Sequence, residues 1–406
     1  MPRGGDGVRV AATLFLCFLL TIGITQYAFG VFVTALASDF GWSRAAINGS
    51  LSLFAVSGLL APVVGVAIDR WGARPVMVVS LAMIGASQLL RPFMTELWQF
   101  YVLALLQFAG TPGLIVIPAG KLIGAWFPLR RGRALGLTTM GANVGGIIFS
   151  PLAAALVDTL GWRGSYAVFG ALFLAAIAPV LLWVREPGAH ASGGAAAVAA
   201  ASGLAAGEAL RTRAFLLIVV ALLIAQLTYQ SVSTQIVPHL EDIGIAKTTA
   251  ALGLAGMAVF GATGKVTFGW ATERVPARFV VAASLGCQVL GILLLVGAGT
   301  RWWLWLFIPV YGLGFGALGA IMALLVQETF GLRAFGSVFG LVNLCTLGSS
   351  LVGPPLVGLV FDRTGSYAPA FLAIAALFVV GAVAVAFARP PQAALARGEP
   401  APVPAR

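Results

Sequence analysis

The sequence predicts an all-α integral membrane protein with twelve transmembrane helices arranged as two six-helix repeats. Apolar residues make up 60% of the 406 residues and charged residues 9%, against about 25% charged in ordinary soluble domains. Twelve apolar stretches are each long enough to cross a bilayer, which takes roughly 20 residues. The last six stretches also repeat the first six at a constant offset. A soluble globular fold is excluded, because so few charges could not cover its surface.

The apolar stretches form two groups of six, separated by a segment rich in glycine, serine and alanine. We therefore predict an N-terminal six-helix bundle over 1–184, a cytoplasmic linker over 185–212, a C-terminal six-helix bundle over 213–389 and a cytoplasmic tail over 390–406. The linker composition is too irregular to predict an anchoring element. The predicted spans cover residues 10–36, 45–68, 75–92, 97–127, 133–158, 163–184, 213–238, 248–271, 278–299, 302–328, 334–360 and 367–388.

The positive charges predict the orientation in the membrane. Sixteen lysines and arginines fall in the segments on one side of the predicted spans and six in the segments on the other. Because cytoplasmic loops carry the excess of Lys and Arg, both termini are predicted to face the cytoplasm. The net charge of +11 thus indicates membrane topology and not nucleic-acid binding. The first span is too long for the core of a signal peptide, so we expect it to be retained. Compact loops and the expected lack of a cleaved targeting segment favour a bacterial inner membrane.

An internal repeat becomes visible when the sequence is shifted by 204 residues. Charges and glycines then coincide in one register, which apolar composition alone does not produce. Parallel repeats with a substrate site at their interface are typical of secondary transporters. The coinciding residues are Gly65, Asp69, Arg70 and Arg74 with Gly269, Glu273, Arg274 and Arg278, Gly132 and Gly136 with Gly336 and Gly340, and Gln26 with Gln230.

The loop after the second span reads GVAIDRWGARP (Gly65 to Pro75), with a degraded copy, GWATERVPAR, from Gly269 to Arg278. This pattern resembles the cytoplasmic signature of the major facilitator superfamily. The resemblance implies a conformational motif that holds the two halves together in one of the alternating states. The acidic residue can cap a helix and the arginines can bind helix ends or headgroups. The motif comprises Gly65, Asp69, Arg70, Gly72, Arg74, Glu273, Arg274 and Arg278.

Two further stretches resemble the monocarboxylate transporter and oxalate:formate antiporter branch of that superfamily. They are QYAFGVFVTALASDFGWSRAAI after Thr25 and WFPLRRGRALGLTTMGANVGG from Trp126. The resemblance implies that a cation in span eight contacts the substrate carboxylate, and Lys265 occupies that position. Some members carry an acidic residue for proton coupling four positions earlier, where this chain has Gly261. Proton symport and anion exchange therefore both stay open.

Two lysines, Lys121 and Lys265, lie within apolar sequence, about 10 Å from the cytoplasmic ends of their helices at 1.5 Å per residue. Ionisable groups inside spans are costly and usually face a cavity. No acidic residue is expected deep in any span, so the two lysines predict an anionic substrate, with one lysine suiting a monocarboxylate and two converging lysines a dicarboxylate. The alternatives are snorkelling to the interface and structural pairing with Glu273 or Glu328.

Polar residues near the middle of the spans are candidates for hydrogen bonds to the substrate, although such residues also bond between helices. Arg44, Arg91 and Arg301 lie near the outer ends, where we expect them to be solvated or to face headgroups. The polar candidates are Thr25 and Gln26 in span one, Tyr229 and Gln230 in span seven, Asn143 in span five, Tyr311 in span ten and Asn343 in span eleven.

Together these features predict a secondary active transporter of a small organic anion, a lactate- or pyruvate-type monocarboxylate above others. Its partners would be the carboxylate, protons or a counter-anion, and the bilayer. The alternatives are an oxalate or dicarboxylate:formate-type exchanger, a multidrug-type exporter of amphipathic compounds, and a membrane sensor. An enzyme is disfavoured and no cofactor or metal is expected, because two histidines and three scattered cysteines supply neither a catalytic set nor a metal site. The sequence does not indicate an oligomeric state.

Overall fold

The computed structural model describes residues 4–186, 203–242, 247–297 and 301–391, and all regular structure in these ranges is helical apart from one isolated bridge between Gly203 and Gly331. Each predicted span coincides with helix to within a few residues. The first half contains α1 (Gly4–Ile22), a π-helical turn (Gly23–Tyr27), α2 (Phe29–Phe40), α3 (Arg44–Gly49), α4 (Ala55–Trp71), α5 (Ala73–Leu90), α6 (Leu97–Gly110), α7 (Val116–Trp126), α8 (Arg131–Ala175) and α9 (Ile177–Trp183).

The second half repeats this series of long helices after one short helix. It contains α10 (Ala206–Leu210), α11 (Arg213–Asp242), α12 (Lys247–Ala271), α13 (Ala277–Val296), α14 (Arg301–Phe330), α15 (Phe335–Thr364) and α16 (Ala368–Ala386).

Eight helical stretches of the described residues are long and apolar enough to cross a membrane. One of them, Arg131–Trp183, contains the predicted spans five and six. Gly161 divides it with φ of +69°, a backbone conformation that glycine adopts without the steric cost other residues meet. The predicted all-helical class with long apolar helices is thereby confirmed for the described residues.

The helices pack into two compact units. The first comprises Met1–Pro128, Leu137–Ala201 and Leu332–Leu344, and the second comprises Leu129–Gly136, Ser202–Gly331 and Cys345–Arg406. The predicted domains, with boundaries near residues 184 and 213, follow the sequence repeat and not packing, and they stay a prediction.

Aromatic stacking and close backbone approach both hold helices together, and each unit supplies an example. In the first unit the rings of Phe32 and Tyr166 stack with centroids 4.0 Å apart. In the second unit α14 packs along both α12 and α13. A Cβ atom added at Gly316 of α14 would collide with the backbone of Gly261 in α12, so these two helices touch through glycine. Small residues permit such close packing between membrane helices.

The end of the predicted linker is ordered, and the expectation that this segment anchors nothing is wrong for residues 203–212. The Leu204 N–H donates to the Phe330 carbonyl oxygen at 2.9 Å, and Gly203 forms a bridge with Gly331. Leu204 and Ala209 of α10 are both buried. Backbone pairing and burial of apolar side chains thus fix the end of a segment whose composition resembles a flexible linker.

Two glycines of α14, three residues apart, test the close contact between α12 and α14. Replacing Gly316 by alanine forces a methyl group into the Gly261 backbone and should lower the melting temperature in detergent, since overpacking costs about 1–3 kcal/mol. Replacing Gly319 by alanine is the matched control, because nothing lies within 4 Å of that added Cβ. Equal melting temperatures for the two variants would contradict the close contact.

Candidate functional site

A carboxylate caps the N-terminus of α15. Asp69, near the end of α4, accepts the backbone N–H of Gly336 at 3.2 Å and both the N–H and the hydroxyl of Ser337 at 2.8 Å. The first N–H groups of a helix lack partners within the helix and attract negative charge. One turn earlier in α4, a Cβ added at Gly65 would collide with the Gly336 backbone. The glycines thus bring the two helices close enough for the carboxylate to reach its donors.

A second carboxylate caps the start of α8. Glu273, which follows α12, accepts the Arg133 backbone N–H at 3.1 Å through Oε1 and the Arg133 Nε–H at 2.8 Å through Oε2. Its side chain is 10% exposed. A Cβ added at Gly132 would collide with the Gly269 carbonyl oxygen. This contact therefore has the same parts as the first: a glycine pair and a carboxylate at a helix start.

The two contacts correspond to each other under the offset of 204 residues, and we call two residues that are 204 positions apart images of each other. Gly65 corresponds to Gly269, Asp69 to Glu273, and Gly132 to Gly336. Each contact lies within one compact unit, since residues 332–344 belong to the first unit and 129–136 to the second. The sequence repeat is therefore also a repeat of three-dimensional contacts.

Lys265 breaks this repeat. It lies one turn before Gly269 in α12, it is partly buried, and its backbone carbonyl oxygen meets the position where Gly136 would carry a Cβ. The image of Lys265 is Ala61, whose carbonyl oxygen makes the same approach to Gly340. Because alanine serves this helix contact in the first repeat, the packing does not explain a lysine in the second.

Lys121 has carboxylate partners within the protein. Its Nζ donates to the Ile68 carbonyl oxygen at 2.7 Å and lies 3.6 Å from Asp69 Oδ1 and 3.8 Å from Glu186 Oε1. The expectation that no protein carboxylate neutralises this lysine is wrong. Glu186 follows the sixth span and also accepts the Ala73 N–H at the start of α5 at 3.0 Å. Lys121 thus joins α7 to the residues around the Asp69 cap.

The remaining motif residues have four different surroundings: a helix end, an aromatic ring, a carboxylate or an exposed position. Arg74 donates to the Leu181 carbonyl oxygen near the end of α9, which fits a cation at a helix C-terminus. Arg274 lies over the Trp270 ring at 3.7 Å and Arg278 over the Phe279 ring at 4.7 Å. Arg70 is exposed. Gly72 has φ of +86° and adjoins the Glu186 carboxylate.

The candidates in the first span lie in the π-helical turn Gly23–Tyr27, which the sequence did not predict. Such turns occur often at functional sites. Thr25 is buried and its hydroxyl donates to the Thr21 carbonyl oxygen, whereas Gln26 is exposed. Sequence reasoning also passed over Tyr27, which is 45% exposed and whose ring adjoins Gly146 of α8.

The other polar candidates differ in burial. Asn143 in α8 is partly buried, Tyr311 in α14 is fully buried and stacks on Phe307 with centroids 5.2 Å apart, and Asn343 Nδ2 donates to the Phe339 carbonyl oxygen at 2.9 Å. The side chains of Tyr229 and Gln230 lie outside the described residues.

Arg91 is buried, and its expected solvation at the outer end of span three is wrong. It is 4% exposed, and its guanidinium donates to Gln88 Oε1 at 2.8 Å and Gln107 Oε1 at 2.9 Å. The guanidinium carbon lies 4.9 Å from the centre of the Tyr166 ring and 5.4 Å from that of Phe100. Cation–π contacts and two amide oxygens thus replace hydration.

An exposed ion pair lies beyond the predicted first span. Asp39 Oδ2 accepts the Trp162 Nε1–H at 2.9 Å and an Arg163 guanidinium N–H at 2.8 Å. These bonds, the one from Trp162 first, lower the pKa of the Asp39 carboxyl below its usual value. The stabilisation that they supply is therefore present above the usual Asp pKa and is lost as the pH falls through the lowered one.

A substitution pair tests the buried Arg91 cluster. Arg91→Ala leaves the amide oxygens of Gln88 and Gln107 without their charged donor and should destabilise the fold by about 2–4 kcal/mol. The images of Gln88 and Arg91 in the second repeat, Ile292 and Leu295, are apolar and buried, and the image of Gln107 is the buried Tyr311. The triple variant Gln88→Ile, Arg91→Leu, Gln107→Leu should therefore be more stable than Arg91→Ala, because apolar residues can replace a buried polar network. Thermal unfolding in detergent measures both, and a triple variant less stable than the single one would contradict the account.

Among the described residues, no three His, Cys, Asp or Glu side chains form a group that could hold a metal ion.

Comparisons with known proteins agree with this architecture. The family model of the Major Facilitator Superfamily matches residues 14–346 and 220–405. Human monocarboxylate transporter 11 is 29% identical over 398 residues, which cover 94% of this chain and 82% of that protein. Rat (Rattus norvegicus) monocarboxylate transporter 4 is 30% identical over 389 residues, covering 91% and 80%.

Solved structures share the fold at low sequence identity. The crystal structure of the E. coli fucose:proton symporter superposes with a TM-score of 0.71 at 17% identity and covers 94% of this chain and 99% of that one. The human organic anion transporter MFSD10 gives 0.70 at 15% identity, covering 93% and 99%. The chain is therefore a transporter that belongs to the major facilitator superfamily, in its monocarboxylate transporter-like branch, with the twelve-helix, two-repeat arrangement of that family.

Proposed function

We propose that this transporter moves a small monocarboxylate of the lactate or pyruvate type by alternating access of its two repeats. The relatives at 29–30% identity bear the name monocarboxylate transporter, which supports this class of substrate. We also propose that the protein lies in an inner membrane with both termini in the cytoplasm. The uneven distribution of lysine and arginine supports this orientation.

The observation that carries the proposal is the lysine at position 265, where the repeat image is Ala61. An ionisable group within a membrane helix costs at least about 2.5 kcal/mol. Helix packing does not require a charge here, because the Ala61 carbonyl oxygen approaches Gly340 in the same way as the Lys265 carbonyl oxygen approaches Gly136. A carboxylate bound at the Lys265 ammonium gives the lysine a function that offsets the cost.

Each polar candidate has a role in this proposal. Lys265 binds the carboxylate, and Thr25 and Gln26 are assigned hydrogen bonds to the substrate on the strength of their places in the sequence repeat. Binding permits the repeats to close around it and reopen on the other face. The Asp69 and Glu273 caps hold the repeats together at the predicted cytoplasmic end in one of the two states. Further hydrogen bonds are assigned to Asn143, Tyr229, Gln230, Tyr311 and Asn343.

Lys121 is not needed as a second substrate cation. Its ammonium lies within 4.0 Å of two protein carboxylates, so its charge is already balanced. This favours a single-lysine site for a monocarboxylate over a two-lysine site for a dicarboxylate. Coupling to protons and exchange against a second anion are both compatible with one lysine.

Reconstituted transport distinguishes these possibilities. Purified protein in liposomes is assayed for uptake of labelled lactate, pyruvate, formate, oxalate and succinate, once with an inward proton gradient and once with unlabelled anion inside. Monocarboxylate uptake driven by the gradient supports the proposal with symport, and uptake that needs internal anion supports exchange. Selective uptake of oxalate or succinate would instead indicate a dicarboxylate exchanger. An exporter of amphipathic compounds would show no uptake of any of the five.

Lys265→Ala should reduce the ratio Vmax/KM for the transported carboxylate at least about 30-fold, because truncating one partner of a buried charge pair costs roughly 2–5 kcal/mol. Lys265→Arg should retain part of the activity. The uptake assay above measures both.

Lys247→Ala is the matched control, since it removes the same charge at the first residue of the same helix, α12. Its uptake should equal that of the wild type. Unchanged uptake by a folded Lys265→Ala protein would contradict the proposal.

A further inference from the structure

The carboxylates of the two repeat-related caps, Asp69 and Glu273, are paired with cations from different elements: one from the carboxylate's own repeat and one from the other repeat. Asp69 lies 3.6 Å from the ammonium of Lys121, which belongs to α7 in the same sequence repeat as Asp69. Glu273 binds the guanidinium of Arg133 at 2.8 Å, and Arg133 belongs to α8, the helix that Glu273 caps, in the other repeat. Lys121 therefore belongs to the same repeat as the carboxylate that it balances, whereas Arg133 belongs to the same repeat as the capped helix.

Neither cation has a counterpart in the other contact. The image of Lys121 is Leu325, which is 1% exposed, and the image of Arg133 is Ser337, whose hydroxyl donates to Asp69 Oδ2 at 2.8 Å. The shared scaffold thus accommodates leucine at the first position and serine at the second. The difference between the two caps is a property of these charges and not of the helix packing.

This difference matters when the repeats separate at the predicted cytoplasmic end. The Asp69 side chain is 11% exposed and the Glu273 side chain 10%, and a poorly solvated carboxylate without a cation is costly. On separation Asp69 loses the N–H donors of α15 but keeps Lys121. Glu273 loses its N–H donor and its cation together.

We infer that Lys121 is a positioning residue that acts through Asp69 and eases release of α15, while the Glu273–Arg133 ion pair is the charge-dependent contact that opposes opening. This inference rests on the proposed alternating access, but it does not depend on the identity of the substrate or on Lys265. The assignment gives Lys121 a role in the conformational cycle in place of substrate binding.

Substitutions by the image residues should act in opposite directions. Lys121→Leu leaves the N–H and hydroxyl donors of the α15 start as the principal partners of the Asp69 carboxylate, so it strengthens the closed contact. Arg133→Ser removes the ion pair but keeps the backbone cap, so it weakens the contact. A purely structural role for Lys121 would lower protein yield or melting temperature without shifting opening.

A cysteine reporter measures opening directly. Thr272 follows α12, and its hydroxyl oxygen lies so close to Gly132 of α8 that a Cβ on that glycine would collide with it. The sulfur of Thr272→Cys therefore becomes more accessible when α8 moves away. The reporter is placed in a background with alanine at Cys17, Cys287 and Cys345. Its alkylation by a membrane-impermeant maleimide is followed without substrate in vesicles that expose this end.

We expect Arg133→Ser to raise the alkylation rate at least about threefold and Lys121→Leu to lower it by a similar factor, the scale of a partly exposed ion pair. Added salt should accelerate alkylation in the parent but not in Arg133→Ser, because salt screens exposed charges. Lys121→Arg should restore the parent rate. If Lys121→Leu does not accumulate, Lys121→Gln keeps a donor for the Ile68 carbonyl oxygen and removes only the charge.

Shifts of the same sign in the two variants, or no shift in either, would overturn the inference. Because the assay contains no substrate, that result would leave the proposed carboxylate transport standing. Conversely, opposite shifts in a protein that takes up no carboxylate would support the inference and contradict the proposed substrate.

Discussion

A carboxylate at the start of a helix, reached through touching glycine backbones, is the interaction on which this structure depends. The first N–H groups of α15 and α8 have no acceptor within their own helices, and unsatisfied donors are costly in a membrane protein. Asp69 and Glu273 accept them, but only because Gly65 against Gly336 and Gly269 against Gly132 bring the helices into contact. Side chains larger than hydrogen at those positions would push the carboxylates out of reach.

The duplicated architecture separates residues required by packing from residues that need another explanation. Positions with the same role in both copies, such as the carboxylate caps and their glycines, belong to the scaffold. Lys265 stands opposite Ala61 and Lys121 opposite Leu325, so neither lysine is required by the shared fold. Lys121 lies beside two protein carboxylates. We propose that Lys265 binds the substrate.

The fold followed from the sequence because hydropathy, charge distribution and a constant offset all report on features that repeat along the chain. The contacts of single side chains did not follow. The sequence places Lys121 at a depth in its helix but does not show that Glu186, from the end of span six, lies beside it. The expected solvation of Arg91 is wrong because a hydropathy profile gives position along a helix and not the direction in which a side chain points. The available signal in the sequence is Gln88, three residues earlier, which accepts a hydrogen bond from the guanidinium. Regular apolar periodicity also hides the π-helical turn that holds Thr25 and Gln26.

The central claim is that Lys265 recognises a carboxylate, and ligand-induced thermal stabilisation of the purified protein tests it without any requirement for transport. Lactate and its uncharged amide differ at the group that Lys265 is proposed to bind. If Lys265 binds the carboxylate, lactate should raise the melting temperature of the wild type, lactamide should not, and neither should affect Lys265→Ala. Equal stabilisation of the wild type and Lys265→Ala by lactate would contradict it.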